Sequence, residues 1–377
     1  MPPAVRRPPV GRVLLTTDAV GGVWTYGLDL AKALAQADIE IMLVVLGPSP
    51  SVSQTVEAYG VPRLSLIDTG LPMDWTASEP AELLEISAAI RGLARGGRAD
   101  LVHLNSPMLA TKEGFGAPVV GVCHSCLATW WSAVKDGPMP SDFAWRTRML
   151  WQGLHACDVL VAPTRAFAAA VKHAYEIPAP RVVWNGRQPA TISGAIEREP
   201  MVLTSGRLWD EGKNVATLDA AARLIEAPVY AAGPLAGPNG AQVNLTHARP
   251  LGRLSADDVA AWLTRAPIYA TSALYEPFGL GVLEAAQAGC ALVLSDIDTL
   301  RELWDGAAEF VDPRDPAAYA TAFDRLLHDP IRRGRLAAQA QARSQQYTVG
   351  RMSADILDIY RELQPRLGRA ADRGVAA

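Results

Sequence analysis

Short apolar segments alternate with longer amphipathic segments along the whole chain. Turn-forming residues bound each apolar segment, which favours strands that are buried on both faces. The longer segments, such as Thr25–Ala37 and Ala81–Arg95, carry apolar residues at helical spacing. Strand–helix–strand alternation predicts parallel sheets with right-handed crossovers. The segments that we interpret as strands are Arg12–Thr16, Glu40–Leu46, Leu101–Leu104, Val119–Val122, Val159–Ala162 and Arg181–Trp184 in the first half, and Val202–Thr204, Val229–Ala232, Ile268–Thr271, Ala291–Leu294 and Glu309–Val311 in the second.

This alternation occurs twice, which predicts an α/β protein made of two facing, doubly wound, Rossmann-like domains with parallel sheets. The segment Asn185–Pro200 separates them, because it contains Pro and Gly and has no apolar period. We place the first domain at residues 1–190 and the second at residues 191–350. A helix at residues 351–377 is expected to return toward the first domain. Ligands of open parallel sheets bind at the carboxyl ends of the strands, so we expect a ligand in the interdomain cleft.

Composition and charge exclude several classes of protein. The 377 residues include 35 Lys and Arg against 39 Asp and Glu, which argues against a nucleic-acid binder. Four cysteines are too few for a disulfide framework in a chain of this length. The apolar run Val13–Leu15 is too short for a signal sequence, and no run reaches the roughly 18 residues of a membrane span. We therefore expect a cytoplasmic protein without a transmembrane segment.

The first candidate binding motif, Thr17–Leu30, follows the first strand and begins a helix. Gly21 and Gly22 allow a sharp turn and a close approach of the backbone to a ligand, and the helix offers free N–H groups to an anion. The glycine spacing differs from GxGxxG, and no suitable acidic residue follows the second strand, so a nicotinamide site is disfavoured. A tight turn without a ligand is the alternative interpretation.

The second candidate motif, Thr204–Asn214, follows the first strand of the second domain. Gly206 and Arg207 lie at its start, and Lys213 follows Arg207 in the same polar loop. A forked guanidinium and a point charge that converge on one site suit a diphosphate. The alternative is a solvated loop in which neighbouring acidic residues neutralise both cations.

The third candidate motif, Ala273–Gly289, places Glu276 on a loop directly before a short buried helix, Leu280–Ala288. Glu284 lies on the polar side of that helix. The first N–H groups of the helix suit a phosphate, and each carboxylate suits a pair of vicinal hydroxyls. This combination indicates a sugar-nucleotide site. The alternative, two unrelated surface glutamates, fits poorly because an acid in an apolar helix needs a partner.

With these motifs in this order, the chain resembles the retaining, two-domain glycosyltransferases of family 4, whose fold is called GT-B. The resemblance rests mainly on the E-x7-E motif from Glu276 to Glu284, and also on the Gly-Gly loop and the Arg–Lys pair. It implies that Glu284 binds the ribose of the nucleotide and that Glu276 binds hydroxyls of the donor sugar. It also implies that a set of residues holds the diphosphate and the base: Arg207, Lys213, the backbone of Phe278, Gly279, Leu280 and Gly281, and the segment around Arg253.

Within the first domain, His124 follows the strand Val119–Val122. A lone histidine after a strand is usually structural, but the resemblance implies that His124 reaches the donor sugar from the acceptor side. Cys123 and Cys126 lack a second pair that would complete a metal site. We interpret Asp296 and Asp298 as a turn and helix cap and expect no metal.

Two further clusters have open interpretations. Aromatic side chains near His124 either stack on an acceptor or fill a core under a long loop. Three arginines of one predicted helix either contact anionic lipid or form a solvated face. The clusters are Trp130, Trp131, Trp145 and Trp151, and Arg91, Arg95 and Arg98.

These observations predict a metal-independent glycosyltransferase that moves a sugar from a nucleoside diphosphate sugar to a hydroxyl acceptor with retention at the anomeric carbon. The resemblance implies retention. The nucleotide sugar is a substrate, and no cofactor is expected. The acceptor is a glycan, a lipid-linked glycan or a small molecule, and peripheral contact with the inner face of the membrane stays open. A catalytically inactive sugar-nucleotide-binding subunit and a sugar-nucleotide epimerase are the alternatives.

Overall fold

A computed structural model describes residues 10–190 and 197–373 of the chain, with side chains described as far as Leu363. The described residues contain two sheets, one of seven strands and one of six, with helices between the strands. Every pairing between their strands is parallel, which confirms the predicted α/β fold class with two Rossmann-like sheets. The predicted domain boundary adjoins residues 191–196 and therefore lies at the edge of the described residues.

The N-terminal sheet has the strand order 3-2-1-4-5-6-7. The first three strands add toward one edge of the sheet, and the fourth strand pairs with the other side of the first, so that the later strands add toward the opposite edge. The carboxyl ends of the first and fourth strands therefore lie side by side. The strands are β1 Arg12–Asp18, β2 Glu40–Leu46, β3 Leu64–Asp68, β4 Leu101–Leu104, β5 Val119–Val122, β6 Val159–Ala162 and β7 Arg181–Val182. The helices are α1 Gly22–Gln36, α2 Val52–Tyr59, α3 Pro80–Gly96, α4 Leu127–Val134, α5 Ala144–Ala156 and α6 Arg165–Tyr175, with short 3-10 turns at Asp74–Thr76, Pro107–Leu109 and Ser141–Phe143.

The C-terminal sheet repeats this design with the order 10-9-8-11-12-13. Its strands are β8 Val202–Ser205, β9 Val229–Ala232, β10 Arg249–Gly252, β11 Ile268–Thr271, β12 Ala291–Ser295 and β13 Glu309–Val311. Its helices are α7 Val215–Ala222, α8 Ala256–Arg265, α9 Leu280–Gln287, α10 Asp298–Trp304, α11 Pro316–His328 and α12 Pro330–Ser344, with a 3-10 turn at Glu211–Lys213. The last helix of the described residues is α13 Val349–Arg373.

The apolar face of α13 packs on α1 of the N-terminal sheet. Met352, Ile356 and Ile359 are buried in the same core as Leu30 and Leu34 of α1. Burying such side chains contributes about 1.5–3 kcal/mol each. The last helix therefore fastens the C-terminal part of the chain to the N-terminal sheet.

The two segments that cross between the sheets touch each other. Gly186 lies so close to the crossover before α13 that a Cβ atom would come within 2.2 Å of the carbonyl of Thr348. The backbone N–H of Arg187 donates to the carbonyl of Tyr347 over 3.3 Å. The two crossover segments are therefore packed directly against each other.

Two details differ from the sequence-based prediction. The strands β3 and β10 were not predicted. Both lie at the edges of their sheets, where a strand need not be a continuous apolar run: β3 alternates apolar and polar residues, and β10 contains Pro and Gly. Arg98 has a left-handed backbone (φ 51°) beyond the end of α3. It therefore does not share a helical face with Arg91 and Arg95.

Candidate active site

The loops of the two sheets meet where α1 and α9 begin. A Cβ atom at Gly22 would lie 3.2 Å from Cδ1 of Leu280, so the Gly-Gly loop of one sheet faces the first turn of α9 from the other. The backbone N–H of Val20 donates to Oδ1 of Asp18 over 2.8 Å and shapes the turn before Gly21. A side chain at Gly22 would therefore require Leu280 to shift by a few tenths of an ångström, whereas a Cβ atom at Gly21 would meet no other atom within 4 Å.

Three loops of the C-terminal sheet gather beside this point. Gly206, which follows β8, has a φ of 147°. Its carbonyl lies so close to Gly233 that a Cβ atom there would come within 1.9 Å, and Gly233 in turn donates to the carbonyl of Gly252 over 2.8 Å. Arg253, which follows β10, has an exposed side chain. The structure thus groups the ends of the first three strands of this sheet.

Arg207 is oriented by an acidic neighbour. Its Nη2 donates to Oδ2 of Asp210 over 3.0 Å, and its guanidinium lies 5.7 Å from the ring of Trp209. The other oxygen of Asp210 accepts from the backbone N–H of Gly212 over 2.9 Å. One carboxylate therefore holds both the cation and the turn before Lys213.

Lys213 and Glu276 form an ion pair inside the cleft, with side chains only 21% and 16% exposed. The Glu276 loop is fixed from both sheets: Thr299 Oγ1 donates to the carbonyl of Glu276 over 2.6 Å, and Thr164 of the N-terminal sheet donates to the carbonyl of Pro277 over 3.0 Å. The predicted diphosphate cation and the predicted sugar-binding acid are therefore neighbours.

The first turn of α9 requires glycines on either side of Leu280. Gly279 has a φ of 87°, which a glycine adopts without strain. A Cβ atom at Gly281 would lie 2.8 Å from the hydroxyl of Tyr269, so no larger residue fits there. Phe278 is buried in the core under this turn. The backbone N–H groups at the start of α9 are thereby held at the cleft.

Glu284 has a partner that the sequence analysis missed. Its Oε1 accepts from Nε of Arg187 over 2.8 Å, and Nη1 of the same arginine contacts Oδ2 of Asp29 over 2.9 Å. Burial raises the pKa of Asp29, and Arg187 opposes that shift. Burial alone lowers the pKa of Arg187, but the two carboxylates outweigh it and raise the pKa above its usual value.

His124 lies on the N-terminal side of the cleft in a neutral environment. Asn105 donates through Nδ2 to the carbonyl of Thr16 over 2.7 Å, so its Oδ1 accepts from Nε2 of His124 over 2.9 Å. The edge of the Tyr26 ring packs against the imidazole at 4.6 Å. Burial lowers the pKa of His124 to about 4, so the imidazole is neutral near pH 7.

Other polar residues on the N-terminal side of the cleft were not predicted. Asp74 accepts a hydrogen bond from Ser106, and burial raises the pKa of Asp74. Arg146 donates to the carbonyl of Trp75 over 3.1 Å. Asn105 and Ser106 directly follow β4. Their position after a buried strand is the feature of the sequence that could have identified them as residues of the site.

The tryptophan cluster divides into separate roles. Trp130 donates through Nε1 to Asp210 over 3.1 Å and so joins α4 to the C-terminal sheet. Trp131 lies 5.8 Å from Phe143, and Trp145 packs against the N-terminal core. Trp151 is 46% exposed. Trp130 therefore connects the segment after His124 with the Arg207 loop, a role that neither interpretation included.

Candidate metal ligands form no cluster within residues 10–190 and 197–373, where no group of three His, Cys, Asp or Glu side chains could hold an ion. Cys123 and Cys126 are buried free thiols. Asp296 pairs with Arg301, and Ile297 occupies the cap position of α10 without a side-chain hydrogen bond. The helix-cap interpretation of the two aspartates is therefore wrong.

Two family models cover most of the chain. Residues 20–190 match "Glycosyltransferase Family 4", and residues 199–329 match "Glycosyl transferases group 1". A D-inositol 3-phosphate glycosyltransferase of Salinispora tropica is 26% identical over 395 aligned positions, which include 92% of this chain and 82% of that relative.

Solved structures with the same fold cover nearly the whole chain. Sucrose-phosphate synthase from Thermosynechococcus elongatus superposes with a TM-score of 0.72 at 18% identity, covering 94% of this chain and 99% of that one. Anabaena HepE, solved in complex with UDP and glucose, superposes with a TM-score of 0.71 at 15% identity, covering 94% and 100%. Both are GT-B structures, so this likeness establishes the fold. None of the described helices is both long and apolar enough to span a membrane.

Proposed function

Because the chain belongs to the two-domain glycosyltransferases with a family 4 N-terminal part and a group 1 C-terminal part, we propose that it transfers a sugar from a nucleoside diphosphate sugar to a hydroxyl acceptor, with retention and without a metal. One observation carries this proposal. The Lys213–Glu276 pair, the start of α9 and the Gly-Gly loop converge at one point between the two sheets.

Each group has a role that follows from its chemistry. Lys213, Arg207 and the N–H groups of α9 offset the charge that develops on the departing diphosphate, which is the task that a metal ion performs in other transferases. Glu276 accepts hydrogen bonds from hydroxyls of the donor sugar. Glu284 accepts from the ribose hydroxyls, and the loop at Arg253 lies near the base.

His124 contributes as a neutral imidazole. Its Nε2 donates to Asn105, so its Nδ1 is an acceptor that suits a sugar hydroxyl. In a front-face displacement, the departing phosphate takes the proton of the acceptor hydroxyl, and the new bond forms on the face that the leaving group vacates. No protein nucleophile is needed in this scheme.

Thermal shift with nucleoside diphosphates tests the proposal. We expect UDP, GDP or ADP to raise the Tm, equally with magnesium and with EDTA. UDP is the first choice because the similar Anabaena protein was solved with it. A shift that needs magnesium would contradict metal independence. No shift with any of the three would contradict the nucleotide site itself.

A further inference from the structure

A largely buried charged group lies at the junction of the two sheets, beside the proposed nucleotide site. Arg187 lies in the crossover after β7 and is only 20% exposed on its side chain. It contacts Glu284 of α9 on one side and Asp29 of α1 on the other, and the side chain of Asp29 is 4% exposed. A buried arginine between two carboxylates from different elements needs a reason, because desolvating three charges is costly.

The geometry points to Arg187 as a positioning residue for Glu284, and this inference rests on the proposed function. We propose that Arg187 orients the Glu284 carboxylate for the ribose hydroxyls of the nucleotide, while Asp29 anchors the guanidinium from the N-terminal sheet. The ribose site would thus be completed by both halves of the molecule, although only Glu284 contacts the nucleotide.

Backbone contacts hold Arg187 where this role requires it. Its N–H donates to the carbonyl of Tyr347 over 3.3 Å, and its own carbonyl accepts from Nε2 of Gln287, at the end of α9, over 2.9 Å. Gly186, just before it, fits tightly against Thr348. With the main chain fixed on both sides, a planar fork can bridge two carboxylates, which a lysine ammonium does less well.

Ribose selectivity measures this role directly. We would determine the Kd of UDP, GDP and ADP and of their 2′,3′-dideoxy forms by calorimetry, for the wild-type chain and for Arg187→Gln. The wild type should bind its ribonucleotide about tenfold more tightly than the dideoxy form, as expected for a charged hydrogen-bond acceptor. Arg187→Gln should bind both forms with nearly equal affinity, because the loss falls on the ribonucleotide.

Matched variants separate positioning from folding. Arg181→Gln makes the same change at an exposed arginine that pairs with Glu362, and it should keep the ribose selectivity. Asp29→Asn and Arg187→Lys keep part of the network, and their selectivity should lie between wild type and Arg187→Gln. If Arg187→Gln does not fold, these two variants decide the question.

The outcomes are distinct. Full selectivity in a folded Arg187→Gln chain, or in both partial variants, would overturn the role of Arg187 and leave the proposed function intact. A wild type that binds nucleotide without ribose selectivity would overturn this inference and the role of Glu284. A wild type that binds none of the three nucleotides would overturn the proposed function and this inference together.

Discussion

The two faces of the cleft differ in how they hold their polar groups. On the C-terminal face, cations and carboxylates are paired: Lys213 with Glu276, and Arg207 with Asp210. On the N-terminal face, the contacts are with neutral groups: His124 bonds to Asn105, and the buried carboxyl of Asp74 accepts from the hydroxyl of Ser106. A charged diphosphate needs charged partners that are already ordered, whereas a hydroxyl acceptor needs neutral groups and shape. The difference between the faces thus matches the two substrates of a transferase.

On the charged face, removal of Lys213 should cause the largest loss of transfer activity. Lys213→Ala deletes a cation that we assign to the leaving group and leaves Glu276 as an uncompensated acid. We expect transfer to fall by about 100-fold or more, as when a preorganised donor is lost. Binding of the nucleoside diphosphate should weaken far more than binding of the nucleoside.

Lys32→Ala is the matched control, because Lys32 pairs with the exposed Glu57 on the N-terminal sheet, away from the Arg207–Lys213 loop. Equal losses for diphosphate and nucleoside in the Lys213 variant would remove its diphosphate role.

The two glutamates on the charged face should separate binding from turnover. Glu284→Ala should weaken nucleotide binding by about tenfold, because it removes a charged acceptor for the ribose. Glu276→Ala should leave the Kd of the nucleotide nearly unchanged and mainly lower transfer. Calorimetry and a nucleotide-release assay measure the two effects, and unchanged values in both variants would refute the site.

The neutral face should be sensitive to acid. Burial lowers the pKa of His124 to about 4. It also lowers the pKa of His103, which lies in β4 behind this face and hydrogen-bonds to the hydroxyl of Tyr360, to about 3. Both values lie below the usual 6.5 of the unfolded chain. The unfolded chain therefore binds more protons below pH 6.5, and the free energy of unfolding should fall as the pH drops from 6.5 to 4.

Urea unfolding at several pH values measures this slope. His103→Gln should make it shallower, whereas His155→Gln, at an exposed position, should keep it. An unchanged slope in the His103 variant would show that this histidine is not held neutral.

The smallest effect should come from the hydrogen bond between Trp130 and Asp210, which is one of the contacts between the two faces. Trp130→Phe keeps the ring but loses the Nε1–H donor to Asp210. We expect a few-fold drop in transfer, because this contact acts on Arg207 only through Asp210, which also accepts from the backbone N–H of Gly212. Trp151→Phe, on the exposed surface, should have no effect. Equal activity of the two variants would exclude a role for this contact in ordering Arg207.

The sequence was informative where a local pattern determines the structure. Buried strands such as β2 and β12 are continuous apolar runs, and their helices have clear periodicity, so the α/β class was predictable. The edge strand β10 was missed, since Arg249–Gly252 contains Pro and Gly and packs on one side only.

The site was predictable only where its residues lie close together in the sequence. Glu276 and Glu284 lie in one short motif, which is recognisable in the sequence. Arg187 is 97 positions from Glu284 and 158 from Asp29, and no local pattern connects them. Side chains that meet through the fold, including Trp130 and Asp210, carry no signal in a single sequence.

A sugar-transfer assay tests whether the chain is a retaining glycosyltransferase. The purified chain would be incubated with an α-linked nucleoside diphosphate sugar, chosen by the nucleotide that raises its Tm, and a panel of hydroxyl acceptors in EDTA. We expect release of the nucleoside diphosphate and a product whose anomeric carbon has the α configuration, as reported by the NMR signal of the anomeric proton. A β-linked product would contradict retention, and nucleotide binding without any release would identify an inactive binding subunit.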